Sequence, residues 1–386
     1  MAPPRRPPEL MAELVEEVLL RLPPDDPSCL VHASLVCKPW RRLLSDPGFP
    51  SRYRQFHQTP PLLGFIRNTY TIVSDSEVSC FVPTTAAPPF SPLPLDEWDR
   101  GWVLDCRHGR VLLDWRDWDT GLIRLAVWAP IAGDVKVLPR LPYCIPSLCC
   151  KAAVLCSMRG GGCDHLDCHG GAFRVVLLGS DLQGSKACVY SSEAGAWTAP
   201  ASIHFQETTY TDCWFRPTLV GDDDLYFRIN ICGIIVKYDL GKHCVSVLED
   251  PPFRCHYNSV LMVTEDVLLG AAIIEGSSLR LWSREVKPKG AAVWIQRRVI
   301  ELDTLIPSAD SHSFNRQPAT RFAEGLGTIF VSIDTGLFSI DVKSWRVKKV
   351  GEPTDCYKCI PFMSFYTPDF ATRRLSKRRR VINPSR

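Results

Sequence analysis

The chain has 386 residues, 45% of them hydrophobic, and its 45 Lys and Arg against 42 Asp and Glu leave a formal net charge of +3. That length and apolar content predict one short module plus one large or two medium domains, and so small an imbalance of charge points to no class of partner. The 17 cysteines are too sparse for a disulfide-stapled secreted scaffold, no basic start leads into an apolar signal segment, and no apolar run is long enough to span a bilayer.

Residues 1–8, rich in proline and arginine, predict a disordered leader. The stretch 9–56 is where helical periodicity is clearest. Leu10, Leu14, Val18 and Leu22 recur every four residues with Val15 and Leu19 alongside, while Glu9, Glu13, Glu16, Glu17 and Arg21 fill the other face. This predicts one amphipathic helix, ended by Pro23-Pro24 because proline has no amide donor and drives its predecessor out of helical geometry. Leu30, Ala33, Ser34, Val36, Cys37, Trp40, Leu43 and Leu44 predict a second helical unit, interrupted or tightened at Pro39 and closed by the turn Asp46-Pro47-Gly48. Residues 51–58 read as a short polar bridge. A unit of about 45 to 50 residues is marginal alone, so a partner or the following domain must complete its burial. On periodicity alone, an ordinary helical hairpin is the alternative.

From residue 62 the pattern changes to short apolar runs bounded by Gly, Pro, Asp and Ser, roughly two dozen candidate strands in all. They include 62–66, 70–73 and 78–82, then the pair 102–106 and 110–115 turned at His108-Gly109. Further on come 152–156, 173–178, 187–190, 225–229, 259–263, 267–273, 328–332, 337–341 and 360–366. An open sheet rarely holds so many strands, whereas radial repetition gives each small sheet protected edges. Six four-stranded blades of roughly 50 residues fit, and a pair of β-sandwiches is the alternative. A weak repeat joins an aromatic-bearing strand, a polar turn and a second strand: 125–139, 187–197, 235–247 and 337–347. The expected organisation is multidomain: a small all-α module over 9–56, an all-β propeller of six blades over 57–366, and a basic flexible tail over 367–386.

In the segment GGGCDHLDCHGG, Cys163, Asp164, His165, Asp167, Cys168 and His169 offer ligand atoms. Zinc, however, favours two close pairs of nitrogen or sulfur ligands, and no second pair is visible in the sequence, so a blade loop without metal is expected. The three glycines lack the lysine and the strand-to-helix setting of a phosphate loop. Asp222-Asp223-Asp224, and Asp117 with Asp119, read as turn residues. His204, His243, His256 and His312 have no nucleophile-elbow motif beside them. No cofactor and no catalytic group is expected. Arg373, Arg374, Lys377, Arg378, Arg379 and Arg380 crowd the tail, as a nuclear-import signal, a nucleic-acid contact or a mobile solvated end. An intracellular, reducing setting is expected, in the cytoplasm, the nucleus or both, with most cysteines acting as small core hydrophobes.

Leu22-Pro23, Leu30, the run from Ala33 to Lys38, Trp40-Arg41-Arg42-Leu43-Leu44, Asp46-Pro47 and Phe49 together resemble the F-box family. The phrases Val127-Trp128-Ala129-Pro130, Val189-Tyr190-Ser191-Ser192, Asp224-Leu225-Tyr226-Phe227 and Lys237-Tyr238-Asp239-Leu240 resemble the F-box-associated β-propeller domains of plant F-box proteins. The resemblance implies a substrate-recognition subunit of an SCF-type ubiquitin ligase, bound to a Skp1-like adaptor and through it to cullin and RING subunits. The propeller would take a protein substrate; neither membrane nor nucleic acid is expected as a partner. Leu10, Leu14, Val18, Leu22, Leu35, Val36, Trp40 and Leu43 are the expected adaptor-facing or module-organising set. A propeller that interacts independently of any ligase, with its helical start as a cap, and a propeller enzyme are the alternatives.

Overall fold

The computed structural model describes residues 11–71, 76–84, 101–114, 122–146, 149–158, 163, 165–166, 168–205, 215–229, 234–248, 251, 258–287, 292–306, 319–353 and 359–367. They fall into two units, one of residues through Pro61 with those from Phe365 onward, the other Leu62–Ser364.

Four helices build the first unit: α1 (Ala12–Leu20), α2 (Ser28–Val36), α3 (Lys38–Leu44) and α4 (Phe49–His57). Glu13 sits in the first turn of α1, where a carboxylate complements the positive end of the helix dipole. The second expected unit is interrupted into two helices, with the break at Cys37 just before Pro39. Cys37 is extended, at φ −159° and ψ 164°, so α2 stops there and Pro39 falls in the first turn of α3, where its missing N–H has no intrahelical partner to lose. The polar bridge expected over 51–58 is corrected, because Ser51 to His57 lie within α4 and Gln58 is its C-cap. Pro50 opens that helix, and Phe49 and Tyr53, one turn apart and both 1% exposed, stack at 5.8 Å. The Tyr53 hydroxyl donates to the Leu22 carbonyl at 2.8 Å, and its ring meets Phe365 edge-on at 6.3 Å.

The second unit consists of six antiparallel sheets. After β1 (Leu62–Thr71) and β2 (Ser76–Pro83), the successive sheets are β3–β6 (Trp102–Arg107, Arg110–Asp114, Leu125–Ala129, Asp134–Val137), then β7–β10 (Cys149–Cys156, Phe173–Asp181, Gly184–Ser191, Ala196–Trp197) with β11 (Ala201–His204) also paired to β9. They continue with β12–β15 (Thr218–Val220, Asp224–Arg228, Ile235–Asp239, Cys244–Leu248) and β16–β19 (Ser259–Val263, Leu269–Glu275, Ser278–Val286, Ala292–Glu301). The next sheet is β20–β23 (Ala319–Ala323, Thr328–Ile333, Gly336–Asp341, Val347–Gly351). The last strand, β24 (Cys359–Met363), pairs with β1, so the first and last strands of the unit share the sheet β2-β1-β24 and close the ring. This is a six-bladed propeller, with three described strands in the closing blade rather than four.

Alternation of side chains makes the ring possible. In β8, Val175 and Leu177 join the core shared with β4 and β5, while Val176 and Leu178 join the core shared with β13 and β14. In β17, Ala271 and Ile273 face the blade before, and Ala272 and Ile274 the blade after. A central sheet buried on both faces reads as a continuous apolar run, which is why β4, β8, β17 and β21 stand out in the sequence. The closing core places Phe65 of β1 against Phe330 of β21, rings edge-on at 5.0 Å. The outermost strand β6 is exposed throughout, and such edges carry charges, as Lys136 here and Lys348 and Lys349 on β23, that discourage pairing with other chains.

All four repeat units noted in the sequence fall at one place, the hairpin between the third and fourth strands of a blade: β5–β6, β9–β10, β14–β15 and β22–β23. In two of them an aspartate ends the third strand and closes the turn. Asp239 accepts the Lys242 amide at 2.8 Å, and Asp341 accepts the Ser344 amide at 2.6 Å. The turn at His108-Gly109 has both residues at positive φ, 52° and 71°, as a two-residue hairpin of that hand requires. Strands β11 and β20 and the short helix α5 (Leu302–Leu305) were not expected from the sequence. Strand β20 escaped notice because Arg321, buried there at 4% exposure, reads as a surface residue until its partner, the Cys359 carbonyl at 3.1 Å, is known.

Candidate functional site

Helix α1 turns Val15 and Leu19 into the core, at 6% and 0% exposure, and leaves Leu14 and Val18 in solvent, at 49% and 51%. The two pairs are equivalent by spacing, each one turn apart. Only the docking of α1 against its neighbours chooses between them. On α2, Leu30, Ala33 and Ser34 are buried, whereas Leu35 and Val36 at its end are exposed at 74% and 63%. Of the expected set, Leu14, Val18, Leu35 and Val36 are therefore exposed apolar side chains and Leu22, Trp40 and Leu43 are half-buried, while Leu10 lies outside the described residues. Met11, 64% exposed at the start of α1, lies on the same side of the helix as Leu14 and Val18 and was not expected.

Polar contacts hold this module together beneath its exposed rows. Arg52 of α4 pairs with Glu16 of α1 and, at 2.7 Å, with Asp46, whose carboxyl the Arg52 hydrogen bond holds below its ordinary range. Burial pushes the Tyr53 phenol well above its ordinary value, so it remains a donor to Leu22. Arg41 and Arg42 are exposed.

In the propeller, the first strands of the blades bring charged residues together. Asp105 of β3, fully buried, accepts from Arg107 at 2.7 Å, from Arg216 Nε at 2.8 Å and from the Val154 amide at 3.0 Å. Arg107 in turn reaches Glu324 through two bonds of 2.9 Å and the Pro217 carbonyl at 2.5 Å. The network thus ties β3 to β7, to the segment before β12 and to the turn after β20. It borders a narrow pocket lined by Phe215, Arg228, Val260 and Arg321 among others. These charges were not anticipated, because linear spacing carries no sign that residues more than a hundred positions apart will meet.

The candidate metal and catalytic residues are dispersed or brought together as the fold dictates. His243 bonds the Tyr238 hydroxyl and, at 2.8 Å, the Ala199 carbonyl, and Asp224 pairs with Lys237 at 2.6 Å. His204 lies on β11, while His256, His312, Asp117, Asp119, Asp164 and Asp167 are outside the described residues, as is the side chain of His169. Cys163, His165 and Cys168 do converge, and a residue not considered with them, Cys156 at the end of β7, joins them.

A helical module that leaves apolar rows in solvent, followed by a closed ring of six sheets, defines a modular β-propeller protein. The family model for the F-box domain matches residues 9–52, and the model described as "F-box protein AT5G49610-like, beta-propeller" matches residues 102–370. The second match spans well over half of the chain, and the chain belongs to this family of F-box β-propeller proteins. A relative from Arabidopsis thaliana that carries an F-box name, At3g16210, is 28% identical over 251 residues, 64% of this chain and 61% of the relative's own length. Among solved structures, a Lactobacillus plantarum protein is 11% identical over 76% of this chain and 82% of that one, with a TM-score of 0.38. The WD40 domain of SCAP from fission yeast is 15% identical over 65% and 55%, with a TM-score of 0.36. Likeness at that level says nothing of function.

Proposed function

We propose that this F-box protein is a substrate-recognition subunit of an SCF-type ubiquitin ligase. Its helical module docks on a Skp1-like adaptor, and through it on cullin and RING subunits, while its propeller takes a protein substrate. The chain itself performs no bond chemistry. It raises the effective concentration of a substrate lysine near the donor ubiquitin, which is a proximity effect.

The observation that carries this reading is the exposure of Leu14, Val18, Leu35 and Val36 on a module matched as an F-box. Apolar side chains left in water on so small a unit are the surface a partner would cover. The proposal extends to the cytoplasm and nucleus as the place of action. The test mixes the full chain with a plant Skp1-like adaptor at micromolar concentration and follows co-elution by size exclusion. A stable complex is expected, and Leu14→Asp should weaken it far more than Glu17→Ala. A folded chain that never co-elutes with the adaptor would overturn the reading in favour of a ligase-independent propeller.

A further inference from the structure

The β7–β8 hairpin opens beyond the pair Cys156 and Phe173, and the excursion over 157–172 carries the cysteine and histidine segment. Along the sequence Cys163, His165 and Cys168 have only His169 beside them as a further nitrogen or sulfur ligand, and its side chain lies outside the described residues. The fold supplies another. Cys156 stands where the loop folds back, and one ligand atom from each of the four residues lies within 4.8 Å of the others. In a tetrahedral zinc site, metal–sulfur distances of about 2.3 Å and metal–nitrogen distances of about 2.0 Å put neighbouring ligand atoms about 3.5 to 3.8 Å apart. Cys168 Sγ and His165 Nδ1 are already 3.8 Å apart.

We propose that Cys156, Cys163, His165 and Cys168 form a structural zinc site that fastens the β7–β8 loop to its blade. Three further observations support it. The backbone N–H of His165 donates to Cys163 Sγ at 3.3 Å, the kind of bond that favours a thiolate. The three thiols release their protons to solvent on binding, so Zn²⁺ with three thiolates and a neutral imidazole carries −1. The guanidinium of Arg110, 1% exposed on the neighbouring blade, supplies +1 and is anchored beside the cluster by bonds to the carbonyls of Cys168 and, at 2.6 Å, Gly171. The imidazole of His108, from the turn before Arg110, packs on the His165 ring at 4.5 Å and fixes its orientation. Four protein ligands leave no open position, which marks a structural site and not a catalytic one.

The test is zinc content of the full chain, expressed with zinc and purified under reducing conditions without chelator. About one zinc per chain is expected, falling below about a fifth of that in Cys163→Ser and His165→Ala. His165→Cys, which restores four ligands, and Cys144→Ser, an exposed cysteine outside the cluster, should both retain it. Exchange with Co²⁺ should give the visible absorption of a tetrahedral site together with thiolate-to-cobalt charge transfer. Should the variants fail to fold, wild-type stoichiometry and the cobalt spectrum decide by themselves. The proposal is overturned if the wild-type chain takes up no stoichiometric Zn²⁺ on titration, if its cobalt form lacks the thiolate band, or if alkylation and mass spectrometry find a disulfide among Cys156, Cys163 and Cys168.

Discussion

Asp105→Ala removes the one carboxylate shared by Arg107 and Arg216 in the middle of the propeller, and its cost can be worked from the contacts. Taking one partner from a buried ion pair costs about 3 to 5 kcal/mol, because the remaining charge stays buried without compensation. Here the stranded cations keep some support: Arg107 retains Glu324 and Pro217, and Arg216 retains the Cys106 carbonyl at 2.6 Å and is 14% exposed. The ion-pair loss therefore falls at the lower end, about 3 kcal/mol, and the Val154 amide left without its acceptor adds about 1 kcal/mol. Urea unfolding followed by tryptophan fluorescence reads the right unit, since of 11 tryptophans only Trp40 precedes residue 62. The expected result is a loss of about 3 to 4 kcal/mol at neutral pH with an unchanged slope. The same carboxylate sets a pH dependence. Burial pushes its carboxyl up, but Arg107, Arg216 and the Val154 amide outweigh burial and hold it below the ordinary 3.8. A carboxyl lowered in the folded chain contributes fully above the unfolded value and loses that contribution as pH falls through the folded one. The difference between wild type and variant should therefore persist at neutral pH and shrink below about pH 4. A loss under about 1 kcal/mol at neutral pH would refute the account of Asp105 as the charge that balances the central guanidinium groups.

Other expectations test the module and the blades. Leu35 is 74% exposed, so about three quarters of the roughly 1.5 to 3 kcal/mol for burying such a side chain remains available to a partner. Leu35→Ala should weaken adaptor binding by up to about 6- to 40-fold by calorimetry and leave the melting temperature unmoved, and equal binding would remove Leu35 from the interface. Tyr53→Phe keeps the ring stack and deletes the bond to Leu22, so the helical module should lose about 1 kcal/mol, read by circular dichroism at 222 nm; no loss would show that water replaces the hydroxyl. Gly179→Ala puts a methyl group onto the Pro146 carbonyl and the Ile145 side chain, and should cost about 1 to 3 kcal/mol in thermal unfolding, with a neutral effect contradicting the packing of β8 against that segment.

Several features were legible from residue order alone because the physics behind them is local. Pro23-Pro24 stops α1, His108-Gly109 turns β3 into β4, and continuous apolar runs such as Val175 to Leu178 mark strands buried on both faces. The four repeats identify the outer hairpin of a blade, since an aromatic strand, a polar turn and an edge strand are neighbours in sequence. Which side of α1 faces water is different. Leu14 with Val18 and Val15 with Leu19 have the same spacing, and the choice belongs to the packing of α1 on α3 and α4. The same holds for α4, whose polar sequence hides two aromatic rings that become core only when Leu22 and Phe365 arrive beside them. Cys156 joins Cys163, His165 and Cys168, and Arg107 meets Glu324, by chain reversal and ring closure. Hydrophobic period and turn chemistry act over a few residues and are written in order along the chain; the pairing of charges and ligands across blades is a long-range distance, and only the closed ring sets it.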